Sequence, residues 1–430
     1  MNVLMLVMSD VAHDSRVMRE AVALAEHGHA IHIVGKDVPV DWTPPRGITV
    51  ESVSGGTGFK PQAATSQAAT SQGTAVQGTA VQSTASQGAP SPAAPKAAAS
   101  PSTSTAARRA VRWLLLPQHR QRVWRTWCTR AGAAVEGRKF DVVHAHDFNV
   151  LRLAAQLADQ SGARLVYDSH EFWSGRERHG RPTPIERARE RRAEQKLLRR
   201  ADAVLTVSAG IAERLGGWRG GEVRLVRNTF PATPESEASK VPLKERPAGI
   251  VYAGRIGAAR DLETLLPAAA AAHLDAVLMG PADREYLQRI QPAIDSGAVR
   301  LEPARPVDEV DDVLREVGIS MVTLTDTCDN HRMALPNKLF HAVRAGVPVV
   351  AADLPELRRT VTAYGLGALY RPGDVASMRA ALEQVAGQYP QLCAQVANAR
   401  GDLSWERDAE VLVGVYADLA GRDVASAAAR

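Results

Sequence analysis

At 430 residues and 45% hydrophobic, the chain exceeds what one core serves, since single cores rarely grow past about 250 residues, so two domains are the default. The opening MNVLMLVMSD lacks a basic leader, and no apolar run reaches the roughly 18 residues that span a bilayer, which points to a cytoplasmic location. Cys128, Cys328 and Cys393 stand far apart without CxxC pairing, which argues against a zinc site or a disulfide framework, and the formal charge of +5 is small although Arg clusters locally.

In chain order, NVLMLVMS reads as a strand, RVMREAVALAEHG as an amphipathic helix and AIHIVG as a second strand. Residues 57–107 then run through Ala, Thr, Ser, Gln, Gly and Pro with almost no bulky apolar group. They cannot bury enough surface to offset chain entropy and are expected to form a disordered insert within the first domain. Residues 108–127 mix Arg with Trp113, Trp124 and Trp127, and residues 176–200 are densely basic. Both stretches have two readings, contact with an anionic membrane surface or a solvated helix whose tryptophans pack on the domain. No recognition module or stacking platform accompanies this charge, so nucleic acid is not expected as a partner.

DVVHAHD, ARLVYDSHE and AVLTVS continue the first domain. Strands apolar on nearly every residue and separated by helices predict a parallel sheet covered on both faces, a doubly wound α/β domain. After residues 231–247 the rhythm restarts with GIVYAGR, DLETLLPAAAAA, AVLMGP, VDEVDDVLREVG, ISMVTL, PNKLFHAVRAG and VPVVAAD. The expected boundaries are 1–230, a linker at 231–247, a second Rossmann-like domain at 248–403, and a helix at 404–430 packing back on the first domain.

In doubly wound sheets ligands sit at the carboxyl ends of strands, where helix N-termini meet anions. Pro336, Asn337 and Lys338 start the helix after strand ISMVTL, where a phosphate would dock, although Pro in a first turn is also a common cap. Arg255 follows strand GIVYA and Arg260 precedes the next helix; two guanidiniums at that edge can fork onto a diphosphate.

The ordered set AGRIGAARDLETLL, VLMGP, ALPNKLFHAVRAGVPVVAADLPELRRTV and SWERDAEVLVGVYADL, with HDSRVMREAVALAEHGH, DVVHAHD, LVYDSHE, ADAVLTVSAGIAERL and VRNTFP before it, resembles the nucleotide-sugar-dependent glycosyltransferases of family 4, retaining enzymes of the GT-B fold. The resemblance covers essentially the whole chain apart from the insert. It implies two Rossmann-like domains facing across a cleft, the second holding a nucleotide diphosphate sugar as donor substrate and the first an acceptor. That acceptor would be an envelope polysaccharide, glycolipid or natural product, with no tightly bound cofactor and no metal required. The family's basic pair on the donor diphosphate maps onto Arg255 and Arg260, Arg replacing the usual Lys. Gly254, Leu335, Pro336, Asn337 and Lys338 would line the same end. His170 would approach the donor sugar, with His146, Asp147 and Glu171 on the acceptor side. His13, Asp14 and Arg16 either contact acceptor or cap the first helix through Asp14 or Ser15.

Two departures and two rivals stand beside this. The family's two carboxylates, eight positions apart, fall on Met333 and His341, so ribose recognition at His341 would differ, because an imidazole offers fewer acceptor sites than a carboxylate. That loss leaves open a catalytically silent binding subunit, and the fold also serves sugar-nucleotide epimerases and hydrolases. A metal held by His144, His146, Asp147 and His170 matches no common zinc spacing. If the basic stretches bind lipid, the protein sits at the inner face of the membrane.

Overall fold

Seven strands of the first lobe are β1 (Asn2–Leu6), β2 (Ala30–Lys36), β3 (Ile48–Val53), β4 (Val142–His146), β5 (Arg164–Ser169), β6 (Ala203–Thr206) and β7 (Arg224–Leu225), all described in a computed structural model. The model describes residues 1–55, 121–177, 184–232 and 241–428; the insert expected to be disordered, most of the Arg- and Trp-bearing stretch with Trp113, and part of the 231–247 linker lie outside the described residues. The second lobe carries β8 (Gly249–Ala253), β9 (Asp275–Met279), β10 (Val299–Glu302), β11 (Gly318–Val322), β12 (Val349–Ala352) and β13 (Gly367–Tyr370).

Between the strands run α1 (Ser15–Glu26), α2 (Phe148–Ser161), α3 (Pro184–Leu198), α4 (Ala209–Arg219), α5 (Leu262–Ala271), α6 (Arg284–Asp295) and α7 (Val307–Val317). They are followed by α8 (Asp329–Met333), α9 (Asn337–Ala345), α10 (Pro355–Tyr364), α11 (Val375–Gly387), α12 (Tyr389–Ala399) and α13 (Trp405–Ala428).

All strand pairs are parallel, in the orders β3-β2-β1-β4-β5-β6-β7 and β10-β9-β8-β11-β12-β13. The reason is visible in β1, where NVLML is buried on every residue but the first, as a strand covered by helices on both faces must be. Each lobe is therefore doubly wound. Strand order reverses between β1 and β4 in one sheet and between β8 and β11 in the other, and ligands of such sheets bind beyond the carboxyl ends at those reversals.

Loops at these edges meet across the lobes. Phe172 N–H donates to Asn330 Oδ1 at 2.8 Å, and Thr327 Oγ1 donates to Glu177 Oε2 at 2.9 Å. These contacts join the segment after β5 to the segment after β11. Residues Met1–Ser54 and Trp127–Arg430 make one compact unit. This is the GT-B plan.

α13 belongs to the first lobe's core. Its Trp405, Leu412, Val415, Tyr416 and Leu419 share an apolar cluster with Val3, Met5 and Leu24. Thr229 Oγ1 donates to Asp408 Oδ2 at 2.6 Å, fastening the crossing. Among the basic stretches, Trp127 is fully buried and so is no surface aromatic. α3 buries Glu194 and Leu198, half-buries Glu186, Arg187 and Glu190, and turns Arg189, Arg191, Arg192 and Lys196 outward. No described helix is long and apolar enough to cross a membrane.

Candidate active site

On the second lobe, Gly254 follows β8 at φ 149°, a backbone conformation that favours glycine, and a Cβ there would lie 3.3 Å from Lys338 Nζ, tighter than ordinary contact. Lys338 is in the first turn of α9, a helix seated by the buried Leu339, Phe340, Ala342 and Val343 and stopped by Gly346 at φ 76°. Pro336 precedes that helix in an extended conformation and no side chain caps it, so its first amides keep their donors free of a side-chain acceptor. Leu335 is buried beneath this end.

Lys338 is 9% exposed, and its ammonium lies 4.7 Å from the centre of the Tyr252 ring. Burial first and Arg260 second depress its pKa to about 7. Among the described residues no carboxylate forms an ion pair with it. A buried amine beside a guanidinium and an open helix start is a site for an anion.

The structure gives each of the two guanidiniums a neighbour that the sequence did not show. Arg260 has Lys338 for its companion, while the Arg255 guanidinium is 63% exposed and paired with Asp283. Asp283 precedes α6 and was not legible as a competitor. Such a surface pair contributes little, on the order of 0 to 1 kcal/mol, so Arg255 is held there only lightly. The backbone carbonyl of Arg255 accepts from Tyr252 Oη at 2.8 Å.

His341 lies further along α9 and is largely buried. Its ring centre is 4.2 Å from that of Phe230, and its Nδ1 is 3.8 Å from Asp311 Oδ1 without a hydrogen-bond partner. Burial lowers its pKa, so it is neutral near pH 7. Met333 packs against Gly210 of the first lobe, where the buried Glu356 carboxylate accepts from Ala209 N–H at 3.0 Å and Gly210 N–H at 2.8 Å. Glu356 at the start of α10 reads in sequence only as an acid suited to a helix N-terminus.

The first lobe brings together His146, Asp147, His170 and, unexpectedly, Asp168. His170 follows β5; its Nε2 is 2.8 Å from Asp168 Oδ2 and its Nδ1 3.7 Å from Asp147 Oδ2. Burial opposes charge on the ring, but Asp168 and then Asp147 outweigh it and raise the pKa to about 9. His170 is therefore an imidazolium at neutral pH. The stabilisation this gives is complete below the ordinary value of 6.5 and is lost as pH rises through about 9. Asp147, with φ 69°, receives the His170 backbone N–H at 3.0 Å, and burial raises its pKa to about 6. Glu171 accepts from Arg176 at 2.7 Å and from Asn330 of the other lobe at 3.4 Å.

Arg16 and His146, both expected on the acceptor side, are instead interior. Arg16 is 3% exposed and donates to both oxygens of Asp168 and to the Val226 carbonyl at 2.9 Å, with Glu20 at 3.0 Å. One turn of α1 separates Arg16 from Glu20, and both point inward because Asp168 lies there. His146 Nδ1 is 3.2 Å from His170 Nε2. Asp14 caps α1 through Val17 N–H at 3.3 Å and also accepts from Ser9, and His13 is an exposed partner of Asp10 at 2.7 Å.

Glu20, His144, His146 and Asp168 present ligand-type atoms within 4.8 Å of one another. The positive charge facing both carboxylates is the Arg16 guanidinium. Burial and then Asp168 raise Glu20 to about 8, so it carries a proton, while Arg16 and His170 overcome burial and hold Asp168 well below the usual carboxylate range. Sequence reasoning also missed Asn228, whose Nδ2 donates to Asn337 Oδ1 at 2.8 Å and whose own oxygen accepts from Arg19.

The family model described as Glycosyltransferase Family 4 matches residues 76–232, and that described as Glycosyl transferases group 1 matches residues 247–388. Sucrose-phosphate synthase from Thermosynechococcus elongatus superimposes with a TM-score of 0.64 at 15% identity, over 98% of this chain and 99% of that one. HepE from Anabaena, solved with UDP and glucose, gives 0.59 at 14% over 99% and 100%. The lipopolysaccharide outer core galactosyltransferase WaaB, in its apo form, gives 0.57 at 13% over 97% and 99%. No curated protein sequence matches significantly. At these identities the structural likeness establishes the fold.

Because the free Lys338 amine has a pKa of about 7 against 10.5 when unfolded, the unliganded protein gains stability as pH rises between those values. An anion restores the charge. At pH 8, where roughly nine-tenths of a group with that pKa is neutral, binding of a nucleoside diphosphate takes up close to one proton more in the wild type than in Lys338→Met. Calorimetry in buffers of different ionisation heat measures this; equal uptake in both proteins removes Lys338 from the site.

Proposed function

Since the chain belongs to the glycosyltransferases of family 4 and group 1, we propose that it transfers a sugar from a nucleotide diphosphate donor to an acceptor with retention of anomeric configuration. The observation that carries this reading is Lys338, buried without a carboxylate beside Arg260 at the open start of α9. HepE, a neighbour in fold, was solved with UDP and with UDP-glucose. An envelope polysaccharide, glycolipid or natural-product acceptor is the class we assign.

The bond between the anomeric carbon and the diphosphate oxygen breaks while the acceptor oxygen bonds to that carbon on the same face, and the acceptor's proton passes to the departing phosphate oxygen. No enzymic base is needed. That suits a site whose first-lobe histidine, His170, already holds its proton. His170 then serves as a donor to a sugar hydroxyl. Arg260, the recharged Lys338 and the amides of Asn337 and Lys338 stabilise charge growing on the leaving group. Arg255 joins them by exchanging Asp283 for phosphate. His341 of α9, with the Phe230 ring against it, is the pair we assign to the nucleoside, and no metal enters any step.

A second reading, a silent nucleotide-sugar-binding subunit, is favoured by Met333 and His341 standing where the family carries carboxylates. An epimerase or hydrolase would act on the donor without acceptor, which product analysis of that mixture detects.

Product analysis separates these readings. With a donor found by thermal-shift screening and a cell-envelope acceptor extract, the product's anomeric proton coupling will match that of the donor; inversion refutes the mechanism, and donor binding without nucleotide release supports the silent subunit. Arg260→Ala will lower kcat by roughly tenfold to a hundredfold, the worth of one charge-assisted bond of about 1.5 to 3 kcal/mol. Arg255→Ala will do so less, because part of its reach is spent on Asp283. The outward charge of α3 gives a third expectation, that the protein co-sediments with vesicles containing anionic lipid and not with neutral ones. Equal sedimentation with both would end the membrane assignment.

A further inference from the structure

Arg260 stands between two residues in a conformation that side chains disfavour: Ala259 has φ 63° and Asp261 has φ 55°. Left-handed backbone at a residue with a Cβ persists where its surroundings over-determine it. Here they do so through hydroxyls and a carboxylate. Thr323 Oγ1 donates to the Arg260 carbonyl at 2.6 Å, and Thr325 Oγ1 to the Ala259 carbonyl at 3.4 Å, both from the segment leaving β11. The Asp261 carboxylate is buried and accepts from Thr264 Oγ1 at 2.6 Å, Tyr370 Oη at 2.9 Å and Gly373 N–H at 3.1 Å.

Asp261 occupies the capping position of α5, yet its side chain accepts from none of that helix's amides. A capping aspartate would ordinarily do so. Its acceptor capacity is spent instead on the Thr264 hydroxyl and on the end of β13 and the turn that follows, three strands from β8 in the sheet. The clamp holds the residue after Arg260 as firmly as Thr323 holds its carbonyl, leaving the guanidinium as the free member of a fixed turn.

We propose that Asp261 is a positioning residue, which clamps the turn to Tyr370 and Gly373 so that Arg260 stands ready beside Lys338 for the donor diphosphate. The proposal rests on the donor site described above. Its signature is selectivity between diphosphate and monophosphate, since a displaced Arg260 loses the outer phosphate and leaves nucleoside contacts intact.

The test compares dissociation constants for a nucleoside diphosphate and its monophosphate, the base chosen from UDP, GDP, ADP and TDP by tightest wild-type binding. Two variants are needed. Asp261→Gly accepts the left-handed conformation freely but has no clamp; Tyr370→Phe keeps the ring and removes one donor. Asp261→Gly is expected to lower the diphosphate preference about tenfold with the monophosphate constant changed less than about twofold, and to lower kcat on saturating donor in the same direction as Arg260→Ala. Tyr370→Phe is expected to lower it about threefold with little change in melting midpoint, and it decides the matter should the glycine variant fail to fold. A wild type without any diphosphate preference overturns the donor reading and this proposal together. Unaltered preference in the variants of a diphosphate-selective wild type overturns the clamp alone.

Discussion

Lys338 sets the terms for the rest of the second lobe. An ammonium removed from water without a counter-charge costs several kcal/mol, and Arg260 adds repulsion to that cost. The fold meets it with an amine whose pKa is depressed to about 7, against the face of Tyr252 and beside a glycine that leaves it room. Near neutral pH the ammonium is only partly charged, and a bound anion favours its protonated form. Gly254, the left-handed turn at residues 259–261 and the uncapped start of α9 all serve that one arrangement.

The first lobe keeps its cation by the opposite means. Arg16 saturates Asp168, and Glu20 retains a proton, so the buried cluster is nearly neutral as a whole. His170 lies at its edge, between Asp168 and Asp147, and is cationic because two carboxylates overcome its burial. Tyr416 of α13 donates to or accepts from His144 at 2.9 Å, so the C-terminal helix completes the interior of this cluster. One lobe discharges its site and the other charges it.

The strands, the parallel sheets and the helix start at residues 336–338 were legible because each rests on a local pattern, apolar runs of strand length and a proline before an amphipathic helix. What a side chain pairs with was not. Arg16 follows the Asp14 cap, and nothing in HDSRV tells whether position 16 turns toward solvent or toward a carboxylate 152 residues away. Arg255 read as the partner of Arg260 because both lie at one strand edge, while Asp283, from the next loop, was invisible as a rival. Lys338 was placed correctly at the helix start, but its burial depends on Tyr252 and Gly254 of another strand. Asp261 and Glu356 carry no signal beyond that of ordinary helix-end acids. The insert at 57–107 is a compositional reading that lies outside the described residues.

Glu356 has a consequence for motion. Its carboxylate, from α10 of one lobe, fills the amide nest at the start of α4 in the other, and Arg359 lies 3.7 Å from it. Separating the lobes would strip two hydrogen bonds from a buried acid and bare the dipole end of α4 in the same movement. Water must enter on both sides at once for the halves to part, so any parting of the lobes is tied to hydration of this one carboxylate.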